Sequence, residues 1–280
     1  MAPTRRARPR AAQRAAQRAR SAPRQARSAS QILQEPLPPL EKGPHTTTSS
    51  AIHDTIFVGK LGVWSGFEAS VRQAVDHRQW ANVLVPHVQT SEYVHVGDEH
   101  GVQGRFEERV GQVLSHISNH QPPSFEFGDS KCVATTALSK TPDFIVMNGA
   151  GNSIIVGEIK TPWVPAHDIR RAVHSWQMGL SDNHLRNMLG QVAKYMDLLS
   201  LKYGVLTTYD QVLFLRQAVV GGEWTLQISP VKCHDDTSNT ATVTVRECFW
   251  HVGQIALQGA GFNRTIGASF QGQIMPWKIN

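Results

Sequence analysis

Three observations in the sequence predict an α/β fold, a mixed central sheet flanked by helices. First, two apolar runs rich in strand formers, residues 143–147 and 154–160, flank the turn signal Asn148-Gly149-Ala150-Gly151-Asn152. Second, helical patterns bracket that hairpin. Phe106, Val110, Val113 and Ile117 share a face ahead of it. Leu185, Met188, Leu189, Val192, Met196 and Leu199 form one apolar stripe behind it. Third, residues 203–208 and 211–216, separated by Tyr209-Asp210, read as two further strands.

Residues 1–50 are expected to be a disordered Arg-rich tail and Pro/Thr-rich linker, and residues 51–280 a single domain. The first 34 residues hold nine Arg and no Asp, Glu or Lys. Of 28 basic and 22 acidic residues in the chain, 19 and 22 remain outside that tail, a net of −3. The basic balance therefore belongs to the tail, and the overall charge is no evidence for a basic face on the domain. Arg5, Arg6, Arg8 and Arg10 suit a nuclear-import or nucleic-acid-binding arm. A mitochondrial presequence is also Arg-rich and acid-poor, but Pro3, Pro9 and Pro23 interrupt any helix there. A solvated tail without a specific role is the third reading. The expected location is intracellular, with the nucleus ahead of cytoplasm or mitochondrion. No apolar run is long enough to span a membrane. Cys132, Cys233 and Cys248 form no Cys-x-x-Cys pair, which argues against a disulfide framework or a zinc site.

In chain order, residues 55–58 are expected as a strand. Residues 65–80 are expected as a helix, with Ser65 and Glu68 as a capping box. A short strand at 93–96 precedes a helix over 102–119 and a strand at 124–127. Residues 167–178 read as a helix bearing Arg170, Arg171 and His174, a phosphate-contacting or merely solvated face. Residues 182–201 give the strongest helix. Residues 224–228 and 241–245 are further strand candidates, and 247–257 a last helix.

The chemistry lies in the hairpin. Along a strand side chains alternate, so Glu158 and Lys160 share one side, and a hairpin brings Asp143 towards Glu158. Buried charges need partners or a metal. Two carboxylates and a backbone carbonyl, with Ile159 the candidate, make a hard-oxygen site for Mg²⁺, or Mn²⁺ in its place. Lys160 is placed to orient or deprotonate a metal-bound water, or to stabilise charge developing on a phosphate. The plain alternative is a structural salt bridge between Lys160 and the carboxylates.

Pro142-Asp143 followed by Glu158-Ile159-Lys160 resembles the PD-(D/E)XK nuclease superfamily, which has the restriction-endonuclease-like fold. The resemblance covers residues 104–217, with a core at 102–217. In that family a helix ahead of the hairpin adds a carboxylate. Glu107, at the edge of the buried helix face, is the expected one, and Glu108 points away. Glu126 is a weaker alternative ligand, and surface roles for both helix glutamates are the plain alternative. Gln191 and Tyr195, four residues apart on a helix, resemble the Gln-x-x-x-Tyr motif of the RecB-like branch, where the pair engages substrate phosphate or the attacking water. The segments 157–163 and 203–209 are similar to segments of fungal proteins without an assigned function.

The resemblance implies a Mg²⁺-dependent nuclease acting on DNA rather than RNA. Asp143, Glu158, Glu107 and the Ile159 carbonyl would hold metal, Lys160 would assist, and Gln191 and Tyr195 would hold substrate. A protein partner is not indicated. A nuclease-like domain without catalysis, serving nucleic-acid or protein binding, is the second expectation. Trp163 could stack on a base or cap the core, and Arg216 could reach the substrate.

Overall fold

The computed structural model describes residues 27–48, 55–81, 84–85, 91–132, 141–259 and 273–276. The cluster of Arg5, Arg6, Arg8 and Arg10 lies outside the described residues. The centre is an eight-stranded sheet. In chain order its strands are β1 (Lys60–Val63), β2 (Phe125–Gly128), β3 (Phe144–Asn148), β4 (Ser153–Ile159), β5 (Tyr203–Thr207), β6 (Gln211–Val220), β7 (Glu223–Ile228) and β8 (Lys232–Cys233). The main helices are α1 (Phe67–Asp76), α2 (Glu99–Phe106), α3 (Gln112–Asn119), α4 (Ile169–Gln177), α5 (Asn183–Leu198) and α6 (Val245–Gln258). A π-helical turn, Glu107–Gly111, joins α2 to α3.

Across the sheet the order is β1-β7-β6-β5-β4-β3-β2, with β8 on β6. β2, β3 and β4 form an antiparallel meander. The chain then runs through α4 and α5 and returns as β5, parallel to β4. That crossover is what a parallel neighbour requires. β5, β6 and β7 continue antiparallel, and β1 closes the edge parallel to β7.

Strand alternation divides the core. Ile155, Val205 and Phe214 face α1, α3 and α6 through Phe67, Leu114 and Phe249. Val156, Leu206 and Leu213 face α4 and α5 through Ile169, Leu189 and Val192. Helices thus cover both faces, and the molecule is mixed α/β, as the sequence indicates. No described helix is long and apolar enough to cross a membrane.

Three expectations need correction. Residues 27–48, read as part of a disordered linker, are ordered against the domain. A one-turn helix, Ala29–Leu33, starts at a Ser28–Gln31 capping box and buries Ile32 and Leu33, and Leu37 follows into the same core. Each buried aliphatic side chain contributes about 1.5–3 kcal/mol, and hydrogen bonds to the domain add to what holds the strap. Arg246 Nη1 donates to Ile32 O at 3.2 Å, and Tyr209 OH to Pro38 O at 2.8 Å. Second, Ser65 is not the cap of α1. Gly66 takes that position in the left-handed region, φ 71°, and Glu68 pairs with buried Lys232 at 2.7 Å instead. Third, residues 241–244 form no strand. Thr244 and Glu247 build a capping box that starts α6 at Val245, overriding the strand propensity of Thr and Val.

Candidate functional site

Glu158 and Lys160 lie on the β4 side facing α5, while Ile155 and Ile159 point into the opposite core. Phe144 pairs with Gly157 in antiparallel register, so Asp143, just before Phe144, falls beside Glu158, just after Gly157. Gly157 has a steric reason: a Cβ there would stand 1.9 Å from Phe144 Cζ. The bare backbone lets the Phe144 ring lie over β4 and sets Asp143 at the strand end. Asp143 Oδ2 accepts from Ile159 N–H at 2.7 Å. Lys160 N–H donates to Thr207 O at 2.8 Å, tying the end of β4 to the end of β5.

Glu158 is 1% exposed and Lys160 7%. The Lys160 ammonium donates to Glu158 Oε1. Glu99 Oε2 stands 3.7 Å from Lys160 Nζ, bringing in a carboxylate from the first turn of α2. Glu158 Oε2 is buried and has no hydrogen-bond partner among the described residues. Two further acceptors, Gln191 Oε1 and His167 Nε2, are also buried without partners among the described residues.

Burial drives the electrostatics. It pushes the Glu158 carboxyl up to about 8; Asp143 and Glu99 add to the rise and Lys160 opposes it. Burial also raises Asp143 to about 6, against its Ile159 N–H bond and the Lys160 charge. For Lys160, burial alone acts downward, and Glu158 and then Glu99 outweigh it, so the ammonium stays charged. Burial lowers His167, whose Nδ1 faces Thr161 O at 3.0 Å. Tyr195 is raised by burial and then by the Glu158 charge.

Asp143, Glu158, Lys160, Gln191 and Tyr195 are therefore brought together. Gln191 Nε2 donates to Tyr195 OH at 2.8 Å, and that hydroxyl to Thr141 O at 3.3 Å, beside the Asp143 segment. Glu107 is placed differently from the expectation. Glu99, Gln103 and Glu107 follow one another at four-residue spacing along one helix side. Glu99 meets Lys160, while Gln103 Nε2 donates both to Asp143 O at 2.6 Å and to Glu107 Oε1 at 3.1 Å. Glu107 is thus joined to the Asp143 segment through Gln103, and Glu99 is the helix carboxylate at the ammonium. The sequence signal for Glu99 was the N-cap Asp98, which accepts from Gly101 N–H at 2.8 Å and starts α2 one turn before Val102.

Other expected contacts lie elsewhere. Glu126 is exposed on edge strand β2 and accepts from Asn119 at 2.8 Å. Arg216 pairs with Tyr203, at the β5 end away from Thr207, and lies 4.3 Å over the Trp64 ring. Trp163 packs against the core, donates to Thr47 O at 2.7 Å and has Lys42 over its ring at 5.8 Å. Arg170 reaches Cys233 Sγ at 2.6 Å, while Arg171 and His174 are exposed on α4.

Among the described residues no group of three His, Cys, Asp or Glu side chains is close enough to cage a metal by itself. Asp143 and Glu158 are the carboxylates that could serve a hard divalent cation, with the Glu158 oxygen that lacks a partner among the described residues as the open ligand atom, while Glu99 stands at the Lys160 ammonium. Mg²⁺ commonly binds through one or two carboxylates and keeps several waters. Gln191 Oε1 and His167 Nε2 are acceptors of the kind that such waters can donate to. No protein-family model, curated protein or solved structure matches this chain.

Proposed function

We propose that this protein is a metal-dependent nuclease of PD-(D/E)XK type, hydrolysing phosphodiester bonds in DNA. The observation that carries the reading is the set of half-buried Asp143 with buried Glu158 and Lys160 at the ends of adjacent strands, with one Glu158 oxygen unpartnered among the described residues. The helix, three-strand meander, helix and parallel strand around it support the restriction-endonuclease-like fold.

In this reading Asp143 and Glu158 would hold Mg²⁺ or Mn²⁺, with the Ile159 carbonyl as a further oxygen and Glu99 as the helix carboxylate in place of Glu107. The ion, when bound, supplies a lowered pKa for water and charge stabilisation at phosphate. Lys160, held as an ammonium by Glu158 and Glu99, stabilises charge on the phosphate oxygens. The Ile159 N–H fixes the Asp143 carboxylate. Tyr195 stays protonated, so its hydroxyl can donate to substrate in exchange for Thr141 O, and Gln191 orients it. The eight Arg ahead of the ordered strap would add sequence-independent affinity that weakens steeply with salt, and they suit a nuclear location.

The test is Mg²⁺- or Mn²⁺-dependent cleavage of labelled single- and double-stranded DNA and RNA. Cleavage lost in Lys160→Ala and Asp143→Ala supports the assignment. A folded wild type that neither cuts these substrates nor binds metal in titration overturns the enzyme reading and favours the binding module, whereas metal binding without cutting points to another substrate or a missing partner. The −3 net charge outside the tail is the observation on that side.

A further inference from the structure

A cavity of about 300 Å³ opens beside the carboxylates, between the π-helical turn and β2. Small-molecule sites begin at about this size. Phe127 and Phe144, stacked at 6.0 Å, line it together with the carboxylates of Glu107, which accepts from Gln103 through Oε1, and Asp129, which accepts from Lys131 N–H through Oδ1. Gly111 and Gly128 bring bare backbone to its wall. A Cβ on Gly111 would approach Phe127 Cβ to 3.3 Å, and one on Gly128 would approach Met147 Cε to 3.1 Å.

The cavity adjoins the candidate site through two connections. Phe144 follows Asp143, and Gln103 bridges Glu107 to the Asp143 carbonyl. No Lys, Arg or His is among the described residues lining it. Two carboxylates repel a phosphate, so the backbone of a bound strand stays outside. What fits inside is a flat ring with N–H donors. Among nucleobases, guanine presents adjacent N1–H and N2–H donors that one carboxylate accepts together. Cytosine and adenine offer a single amino group. Thymine and uracil flank their one N–H with carbonyl oxygens that a carboxylate repels.

We propose that this cavity receives a guanine base of the nucleic acid whose phosphate lies at Asp143 and Glu158, with Glu107 as the principal acceptor and Asp129 as the second. This rests on the nuclease reading for the placement of the phosphate. The base contact is separable from it, because it needs neither metal nor cleavage.

The experiment is an NMR titration of the full, metal-free chain with 2′-deoxyguanosine, 2′-deoxyinosine and thymidine, following the amides of Gly111, Phe127 and Gly128. Deoxyguanosine is expected to shift them saturably. Deoxyinosine, lacking the 2-amino group, should bind at least fivefold more weakly, and thymidine should leave them unmoved. Glu107→Gln and Asp129→Asn should each weaken deoxyguanosine tenfold or more, with the two isosteric changes guarding against one misfolding. Equal shifts from all three nucleosides, or none, overturn the proposal. So does argininamide shifting the same amides as strongly, which would mark a site for a cationic side chain. If DNA is cut without any preference for guanine and deoxyguanosine does not bind, the base pocket falls while the nuclease stands. Deoxyguanosine binding in a chain that cuts nothing upholds the pocket and removes the nuclease.

Discussion

Replacing Glu158 by Gln should stabilise the metal-free protein, although it removes a salt bridge. Burial raises the Glu158 carboxyl to about 8 in the folded chain, against 4.5 for the free side chain. Its folded pKa is raised, so its contribution is fully present below pH 4.5 and is lost as pH rises to about 8. At pH 7 the loss amounts to about 3 kcal/mol, at 1.36 kcal/mol per pH unit. That figure already includes the attraction of Lys160, which opposes the shift. Urea unfolding at pH 7 in EDTA should therefore show Glu158→Gln more stable than wild type by about 1–3 kcal/mol, with an unchanged urea slope. At pH 4 the two should coincide. Saturating Mg²⁺ should stabilise wild type by about 2.7 kcal/mol at one hundred times its Kd and leave the variant unmoved. A variant clearly less stable than wild type at pH 7 refutes the reasoning. The cluster would then be a structural salt bridge, whose breakage typically costs about 3–5 kcal/mol.

Three other outcomes are expected. Gly157→Ala forces a methyl against Phe144 and should cost on the order of 3 kcal/mol in urea unfolding while displacing Asp143, so divalent-metal stabilisation disappears as well. His251 is pushed down to about 4 by burial and then by Arg216; its contribution is present above pH 6.5 and lost as pH falls through 4. His251→Gln should flatten that acid limb by about 3 kcal/mol, read from thermal melts between pH 7 and 4. Leu33→Ala should cost about 2–5 kcal/mol. A loss near zero would mean that residues 27–48 do not belong to the cooperative unit.

The hairpin and its charges were legible because strand alternation and turn residues act locally. Asp143, Glu158 and Lys160 could be grouped from spacing alone. Helical spacing made Gln191 and Tyr195 neighbours beside an apolar stripe, and their place at the site was what the resemblance to the Gln-x-x-x-Tyr motif implied. Glu99 was not read because Gly101 and Gly104 obscure the helix start, so periodicity began at Val102 and only the Asp98 cap pointed earlier. The strap at residues 27–48 was missed for a different reason. Its few apolar residues look insufficient alone, and the helix α6 and Tyr209 partners that secure them lie about 170–215 positions away in the chain. β1 was missed because four residues containing Gly62 carry little strand signal. The unpartnered Glu158 oxygen and the cavity beside Glu107 exist only in three dimensions.

The most direct measurement is a calorimetric titration of the full chain with Mn²⁺ at pH 7.5, in buffers of different ionisation heat, for wild type and Glu158→Gln. One Mn²⁺ per wild-type chain is expected, with proton release, because metal displaces the proton that burial keeps on Glu158. Glu158→Gln should bind at least tenfold more weakly and release fewer protons. Absence of binding to folded wild type, or binding that the substitution leaves unchanged, contradicts a metal centre at Asp143 and Glu158.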